Sequence, residues 1–113
     1  MTKPLKKLPH PDDHHLVAAE GWLELGDWRE ANDELENITP GLRAHPFVLE
    51  ARYKIYEMAE RWDMAVEVAR AMRDLLPENP WGHFHLAFSL HELKRTQEAY
   101  DTLLPVAGKF PKE

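Results

Sequence analysis

The sequence returns to one pattern every 34 residues. When the chain is aligned with itself at that spacing, the blocks are 12–45, 46–79 and 80–113. Ala31, Ala65 and Ala99 then fall on one position. A fixed period of this length is typical of proteins built from a repeated supersecondary unit, in which each copy buries its apolar face against its neighbours. We therefore expect a single domain made of three such units.

Each block contains two stretches in which apolar residues follow one face of a helix. In the third block His83, Leu86, Ala87 and Leu90 are spaced i, i+3, i+4, i+7, which indicates a helix with one packing stripe. Asn79 before a proline favours a helix start at that point. The pattern predicts an all-α fold without strands, with helices at 12–25, 28–39, 46–59, 62–76, 80–93 and 96–109.

Two residues bear on where individual helices begin and end. Asp27 is suited to cap the second helix, because its carboxylate can accept a hydrogen bond from a free amide of the first turn. Pro105 lies inside the sixth predicted helix, where proline removes a backbone donor and clashes with the preceding turn. We therefore expect that helix to kink or to end early near Leu103–Pro105.

A 34-residue helix–turn–helix unit of this kind resembles the tetratricopeptide repeat (TPR) family. The family pattern is W-x2-L-G-x2-Y, then A-x3-F, then P. The third block fits it as His83-x2-Leu86-Ala87-x2-Leu90, Ala99-x3-Leu103 and Pro111. The second block departs from it, with Arg52 and Tyr53 in the Leu-Gly slots. The resemblance implies an α-solenoid of three antiparallel helix pairs in a right-handed superhelical stack, with the first helices lining a concave groove.

Charge separates a short tail from the rest of the chain. The net charge is −6, yet residues 1–11 contain three lysines and no acid. We interpret 1–11 as a basic tail with Pro and Leu, and 12–113 as the TPR domain. An acidic domain repels phosphate, so we expect no nucleic-acid partner. The tail is either a frayed terminus or a segment that covers a groove, its own or a neighbour's.

The composition also bears on compartment. Cysteine is absent, which excludes disulfides and gives no sign of an oxidising environment. The first residues lack the apolar run of a secretory signal, and no stretch approaches the length of a membrane span. We therefore expect a cytoplasmic protein without a membrane partner.

Residues that could carry catalysis or bind a metal are poorly arranged for it. Ser89 is the only serine, and it lies in mid-helix without the glycines of a nucleophile elbow. His83 and His85 point to different sides of a helix, and His91 opens a motif that lacks the second histidine of H-E-x-x-H. We expect no catalytic residues, no metal site and no cofactor.

The fifth predicted helix carries a second stripe besides its packing stripe. Trp81, Phe84, Phe88 and His91 point roughly 130° away from the packing residues at 100° per residue. Aromatic residues at helical spacing usually belong to a core, but here a separate packing stripe exists, so we favour a groove. The resemblance implies further groove residues at Asp13, Leu16, Glu20, Leu23, Glu24, Phe47, Glu50, Lys54, Glu57, Met58 and Glu92.

An apolar and acidic groove suits an adaptor or chaperone-like module that binds a peptide or a hydrophobic or basic protein segment. The alternative is a structural section of a longer solenoid, or a self-assembling scaffold without a groove ligand. On the last helix Tyr100 and Leu104 would lack the neighbour that a further repeat supplies. Exposed apolar patches of this kind tend to mark interfaces, so we expect a weak homodimer there.

Overall fold

The computed structural model describes residues 7–110, and over that range it contains six α-helices and no strand. The helices are α1 (Asp12–Glu24), α2 (Trp28–Leu35), α3 (Pro46–Met58), α4 (Trp62–Leu75), α5 (Pro80–Glu92) and α6 (Thr96–Leu103). Short 3-10 helices at Pro40–Leu42 and Leu104–Val106 follow α2 and α6. The predicted all-α class is confirmed, and every helix starts at the predicted residue.

The same turn joins α1 to α2, α3 to α4 and α5 to α6. Gly26, Glu60 and Lys94 lie 34 residues apart, and their φ angles are all positive, at 79°, 55° and 66°. At each turn the following amide donates to a carbonyl five residues back, at N···O distances of 2.9, 2.8 and 2.9 Å. This geometry satisfies carbonyls that a helix end leaves free. The chain thus reverses in the same way at three equally spaced points.

Side-chain caps fix three of the helix starts, and at α3 the His45 ring nitrogen Nδ1 accepts a hydrogen bond from the Phe47 amide at 3.1 Å. The Asp27 carboxylate accepts a hydrogen bond from the Glu30 amide at 3.0 Å, as the sequence predicts. The Asn79 side chain accepts one from the Trp81 amide at 2.8 Å, and Pro80 occupies the first helical position. The start of α5 is therefore fixed by residues within or next to the helix itself.

The repeated alanines lie where the helices of a pair meet. Ala31 and Ala65 are completely buried, and Ala99 is buried as well. A larger side chain at these buried positions would have to displace its neighbours. Each helix contacts the next one along the chain, and α1 also contacts α3.

Gly82 lets α4 and α5 approach closely. A Cβ atom at this position would lie 2.5 Å from the backbone nitrogen of Arg73 in α4. Backbone atoms cannot move aside as a flexible side chain can. The packing of α5 on α4 therefore depends on the missing side chain.

Two residues that are unusual for their slots, Arg52 and Tyr53, tie α3 to the helices on either side of it. Arg52 Nη1 donates to the Asn32 side-chain oxygen of α2 at 2.7 Å. Tyr53 is 1% exposed, and its hydroxyl lies 2.9 Å from the Ser89 hydroxyl of α5. The departures from the repeat pattern thus serve contacts particular to this chain.

Helix α2 ends at Leu35, so the prediction that it extends to residue 39 is wrong. Pro40 disfavours a helical conformation for the residue before it, and Thr39 is accordingly extended, with φ −49° and ψ 126°. The Thr39 amide donates instead to the Asp12 carboxylate of α1 at 3.0 Å. Ile38 is 1% exposed, so the non-helical segment also contributes to the core.

Helix α6 ends at Leu103, as expected from Pro105, although the predicted span to residue 109 is too long. The chain continues through the short 3-10 helix, and Gly108 has a positive φ of 81°. The segment then returns toward α5, where the ring of Phe110 lies 5.7 Å from that of His83. The end of the described chain therefore packs against the first turn of α5.

Residues that precede the predicted domain boundary at residue 12 also contact the helices. Leu8 is 6% exposed and belongs to the core cluster that joins α1, α2 and α3. The Pro9 carbonyl accepts a hydrogen bond from the Asp13 amide at 3.0 Å. Residues 1–6 and 111–113 lie outside the described residues, so tail coverage of a groove and the repeat position of Pro111 stay predictions.

Candidate functional site

Helix α5 has a buried side and an exposed side, as its two stripes predict. His83, Leu86, Ala87 and Leu90 are all buried. They pack α5 into the protein, and the His83 ring nitrogen Nε2 lies 2.9 Å from the Pro77 carbonyl. A buried histidine with a backbone partner is a packing residue rather than a free ligand. The packing stripe is thus satisfied without help from the second stripe.

The second stripe is exposed over most of its length. The side chains of Phe84 and Phe88 are 49% and 46% exposed, His91 is exposed, and Trp81 is half-buried. Phe88 makes an edge contact with Trp62 of α4, at 5.4 Å between ring centroids. Half of each phenylalanine therefore rests on protein, and the other half remains in water.

Trp81 is held in one orientation by its neighbours. The His85 ring stacks on it, with 4.1 Å between centroids and an interplanar angle of 18°, and Tyr53 meets it edge-on at 5.2 Å. His85 Nδ1 also lies 2.8 Å from the Trp81 carbonyl oxygen. The indole is therefore a fixed platform at the start of α5.

Around this platform lies a cleft of about 670 Å³, which we call the aromatic cleft. Its lining includes Pro80, Trp81, Phe84, His85 and Phe110. The Phe84 and Phe110 rings meet edge to face, with centroids 6.2 Å apart. The aromatic cleft thus has ring surfaces from α5 and from the segment that follows α6.

A second cleft, which we call the apolar cleft, lies between α5 and α6. It has a volume of about 390 Å³. Phe84 and Phe88 line it from α5, and Tyr100 and Leu103 line it from α6. Because Phe84 belongs to both clefts, the exposed side of α5 forms one continuous apolar surface.

A third cleft, the acidic cleft, lies between α1 and α3 and has a volume of about 430 Å³. Leu23 and Ala51 are buried, and both line it. The other lining residues are Glu20, Glu24, Glu50, Lys54 and Met58. The cleft therefore contains three carboxylates and one ammonium group, which give it a net negative charge. All these residues except Ala51 were predicted from the sequence as groove residues, and the structure brings them together.

The other predicted groove residues of α1, α3 and α5 line none of these three clefts. Leu16 is 7% exposed in the core cluster of α1, α2 and α3, so it packs inside the protein and presents almost no surface to a ligand. Phe47 is half-buried against the same cluster. Glu57 is half-buried, and Asp13 and Glu92 are exposed.

The two residues predicted for self-association are exposed. Tyr100 is 60% exposed and Leu104 is 56% exposed. Tyr100 lies within α6 and lines the apolar cleft, and Leu104 directly follows that helix. They enlarge the apolar surface of the last helix pair.

Several residues that line the aromatic cleft, His85, Phe110 and Glu78 among them, were not predicted from the sequence as site residues. His85 lies four residues after Trp81, and that spacing places side chains next to each other on a helix. Phe110 reaches α5 only because the chain turns back after Pro105, which no local pattern indicates. Glu78 lies in the turn before α5 and also lines the cleft.

The side chains that could act in catalysis or metal binding either have hydrogen-bond partners within the protein or lie apart from one another. Ser89 is fully buried, and its hydroxyl donates to the His85 carbonyl at 2.9 Å. Burial raises the pKa of the Tyr53 hydroxyl, and a hydrogen bond from Arg95 lowers the pKa of the Glu98 carboxyl. Within residues 7–110 no group of three His, Asp or Glu side chains is placed to hold a metal ion.

No family model, curated protein or solved structure matches this chain. Among the helices of the described residues, none combines the length and apolar character needed to cross a membrane. What the protein does therefore has to be inferred from the three clefts and the residues that line them.

Proposed function

We propose that this chain is a non-catalytic protein-interaction module of the TPR type. Its three antiparallel helix pairs would stack as a right-handed solenoid, and the first helix of each pair would face a peptide or a hydrophobic or basic protein segment. The observation that carries this proposal is the exposure of Phe84 and Phe88 on a helix whose packing stripe is already buried.

Equal geometry at equal spacing supports the repeat part of the proposal. The left-handed turn residues Gly26, Glu60 and Lys94 and the three buried alanines all recur at 34 residues. The contact between α1 and α3 is the one expected of successive first helices in a stack. The aligned first helices would then supply the acidic cleft and the exposed side of α5 to one surface.

Energetics favour a partner that covers α5. Full burial of a phenylalanine side chain stabilises by about 1.5–3 kcal/mol. Since Phe84 and Phe88 are about half exposed, a partner that covered them would gain about 1 kcal/mol from each. Aromatic anchors in partly formed pockets are the residues that most often dominate protein interfaces. Both phenylalanines have that position.

Charge favours a basic segment. Glu20, Glu24 and Glu50 line the acidic cleft, and the whole chain carries a net charge of −6. A negative surface speeds the association of a positively charged partner and disfavours an acidic one. The ligand class is therefore a segment with apolar and basic residues.

A second candidate function is a structural one, in which this chain is a section of a longer solenoid or assembles with copies of itself. It is favoured by the exposure of Tyr100 in α6 and of Leu104 directly after that helix. The variant Leu104→Glu separates the two functions, because a charge there would prevent end-to-end contact while leaving the exposed side of α5 intact. A self-assembling protein would lose its oligomer with this variant, whereas a peptide-binding module would keep its ligand.

The proposal is tested by selecting ligands from a random peptide library on the wild-type protein. We expect the selected peptides to combine apolar and basic residues and to compete with one another for one surface. The variant Phe84→Ala/Phe88→Ala should lose them, while Leu25→Ala should retain them, because Leu25 is 76% exposed and lines none of the three clefts. Equal capture by both variants would contradict the proposal.

A further inference from the structure

We propose that the aromatic cleft binds an extended, proline-containing segment that carries a basic residue. This inference rests on the proposed function, because it names the ligand class of the same exposed side of α5. It concerns the start of the helix, where Trp81, His85, Phe84 and Phe110 meet, and not the apolar cleft toward α6.

The rings form two ridges that run along α5. Trp81 and His85 make one ridge, since they are four residues apart and stacked at 4.1 Å. Phe84 begins the other ridge and is extended sideways by Phe110, 6.2 Å away. Side chains spaced by four residues form the natural ridges of a helix surface, with a groove between them. The groove between these ridges is aromatic on both sides.

An aromatic groove suits polyproline geometry. Proline-rich segments are already extended before they bind, so they lose little conformational entropy when they dock between aromatic rings. The cleft is equally prepared, because Tyr53 and His85 hold Trp81 and the His85 ring nitrogen lies 2.8 Å from the Trp81 carbonyl. Two pre-organised surfaces can bind without the ordering cost that a flexible site carries.

Glu78 supplies the charge preference. It is exposed in the turn before α5 and lines the aromatic cleft. The neighbouring Asn79 side chain is occupied, because it caps α5 through the Trp81 amide. Within residues 7–110 no hydrogen bond or ion pair engages the Glu78 carboxylate. A lysine or arginine next to the proline would pair with it.

Calorimetric titration of three synthetic peptides tests the inference. They have equal length and equal lysine content, and they carry proline, alanine or leucine at the same positions. We expect the proline peptide to bind at least about tenfold more tightly than the alanine peptide, and Phe84→Ala to weaken it by about fivefold. Glu78→Gln should weaken it severalfold and reduce its salt dependence. Leu25→Ala should leave its affinity unchanged.

The leucine peptide distinguishes failure of this inference from failure of the proposed function. If it binds as tightly as the proline peptide and depends on Phe84, the proposed function stands and the preference for proline is overturned. If the proline peptide does not bind at all, the inference is likewise overturned. The inference is also overturned if sedimentation shows a wild-type dimer that Phe84→Ala dissociates, since a second copy of the chain then fills the aromatic cleft.

Discussion

The Tyr53 hydroxyl lies 2.9 Å from the Ser89 hydroxyl, and this contact joins α3 to α5 inside the protein. Ser89 in turn donates to the His85 carbonyl at 2.9 Å. The ring of Tyr53 also meets His85 edge-on, with 4.9 Å between centroids. A single buried tyrosine thus sets the position of α5 and supports the two rings, Trp81 and His85, that form one side of the aromatic cleft.

The variant Tyr53→Phe should lower the free energy of unfolding by about 0.5–1.5 kcal/mol, the net value of one intramolecular hydrogen bond. The loss stays moderate because Ser89 keeps its bond to the His85 carbonyl. Urea denaturation measures it. The matched control is Tyr56→Phe, since the half-buried Tyr56 has no hydrogen bond through its hydroxyl within the described residues. Equal effects of the two variants would show that the Tyr53–Ser89 contact is not specific.

The close approach of α4 and α5 predicts that Gly82→Ala is strongly destabilising. The added Cβ would lie 2.5 Å from the Arg73 backbone nitrogen, so the helices must separate. Overpacking of this kind costs about 1–3 kcal/mol or more. Gly21→Ala is the control, because Gly21 lies within α1 and no atom is within 4 Å of its added Cβ. That variant should stabilise by about 1 kcal/mol through helix propensity. Similar melting temperatures for the two variants would contradict the packing described.

The repeated turn predicts that Lys94→Gly is stabilising. Lys94 has φ 66°, a conformation that costs about 1–2 kcal/mol for a residue with a Cβ and almost nothing for glycine. After the extra chain entropy of glycine is subtracted, we expect a gain of about 0.5–1 kcal/mol in the free energy of unfolding. The same turn in the first pair already has Gly26, so Gly26→Ala should destabilise by a similar amount. Thermal denaturation that ranks these variants the other way would refute the prediction.

The hydrogen bond to Asp12 predicts that the free energy of unfolding depends on pH in the acidic range. The Thr39 amide hydrogen bond lowers the pKa of the Asp12 carboxyl below its ordinary value of 3.8. A group whose pKa is depressed by folding stabilises the protein fully above its unfolded pKa, and this contribution is lost as the pH falls through the folded pKa. The destabilisation caused by Asp12→Asn should therefore be larger at neutral pH than at a pH below the folded-state pKa of Asp12.

Urea denaturation of wild type and Asp12→Asn across this range measures the effect. Asp63→Asn serves as control, because Asp63 is exposed in the first turn of α4. If the difference between wild type and Asp12→Asn is the same at both ends of the range, the link between Thr39 and Asp12 contributes nothing to acid stability.

The starts of α2 and α5 could be predicted from the sequence because local chemistry determines them. Asp27 and Asn79 cap their helices with their own side chains, and Pro80 suits a first helical position. The end of α2 could not be predicted from periodicity, because the buried Ile38 fits a helical stripe as well as the non-helical core position that it occupies. Only the effect of Pro40 on the conformation of Thr39 distinguishes the helical from the non-helical alternative.

The candidate site was predictable in part for similar reasons. The exposed stripe of Phe84 and Phe88 follows from helical spacing, whereas the joining of Glu20 with Glu50 across α1 and α3 was expected only from the resemblance to the TPR family. The aromatic cleft depends instead on Phe110, which comes near Phe84 through a return of the chain after α6. Contacts of that kind depend on tertiary structure, and no pattern within a single helix contains them.

The central claim is that Phe84 and Phe88 anchor a peptide ligand. It is tested most directly by the ratio of dissociation constants between the variant Phe84→Ala/Phe88→Ala and the wild type for one library-selected peptide, with circular dichroism showing that the variant is folded. Aromatic anchors of an interface typically contribute 2 kcal/mol or more, so we predict a ratio of at least about 30. A folded variant that binds the peptide with the wild-type dissociation constant would contradict the claim.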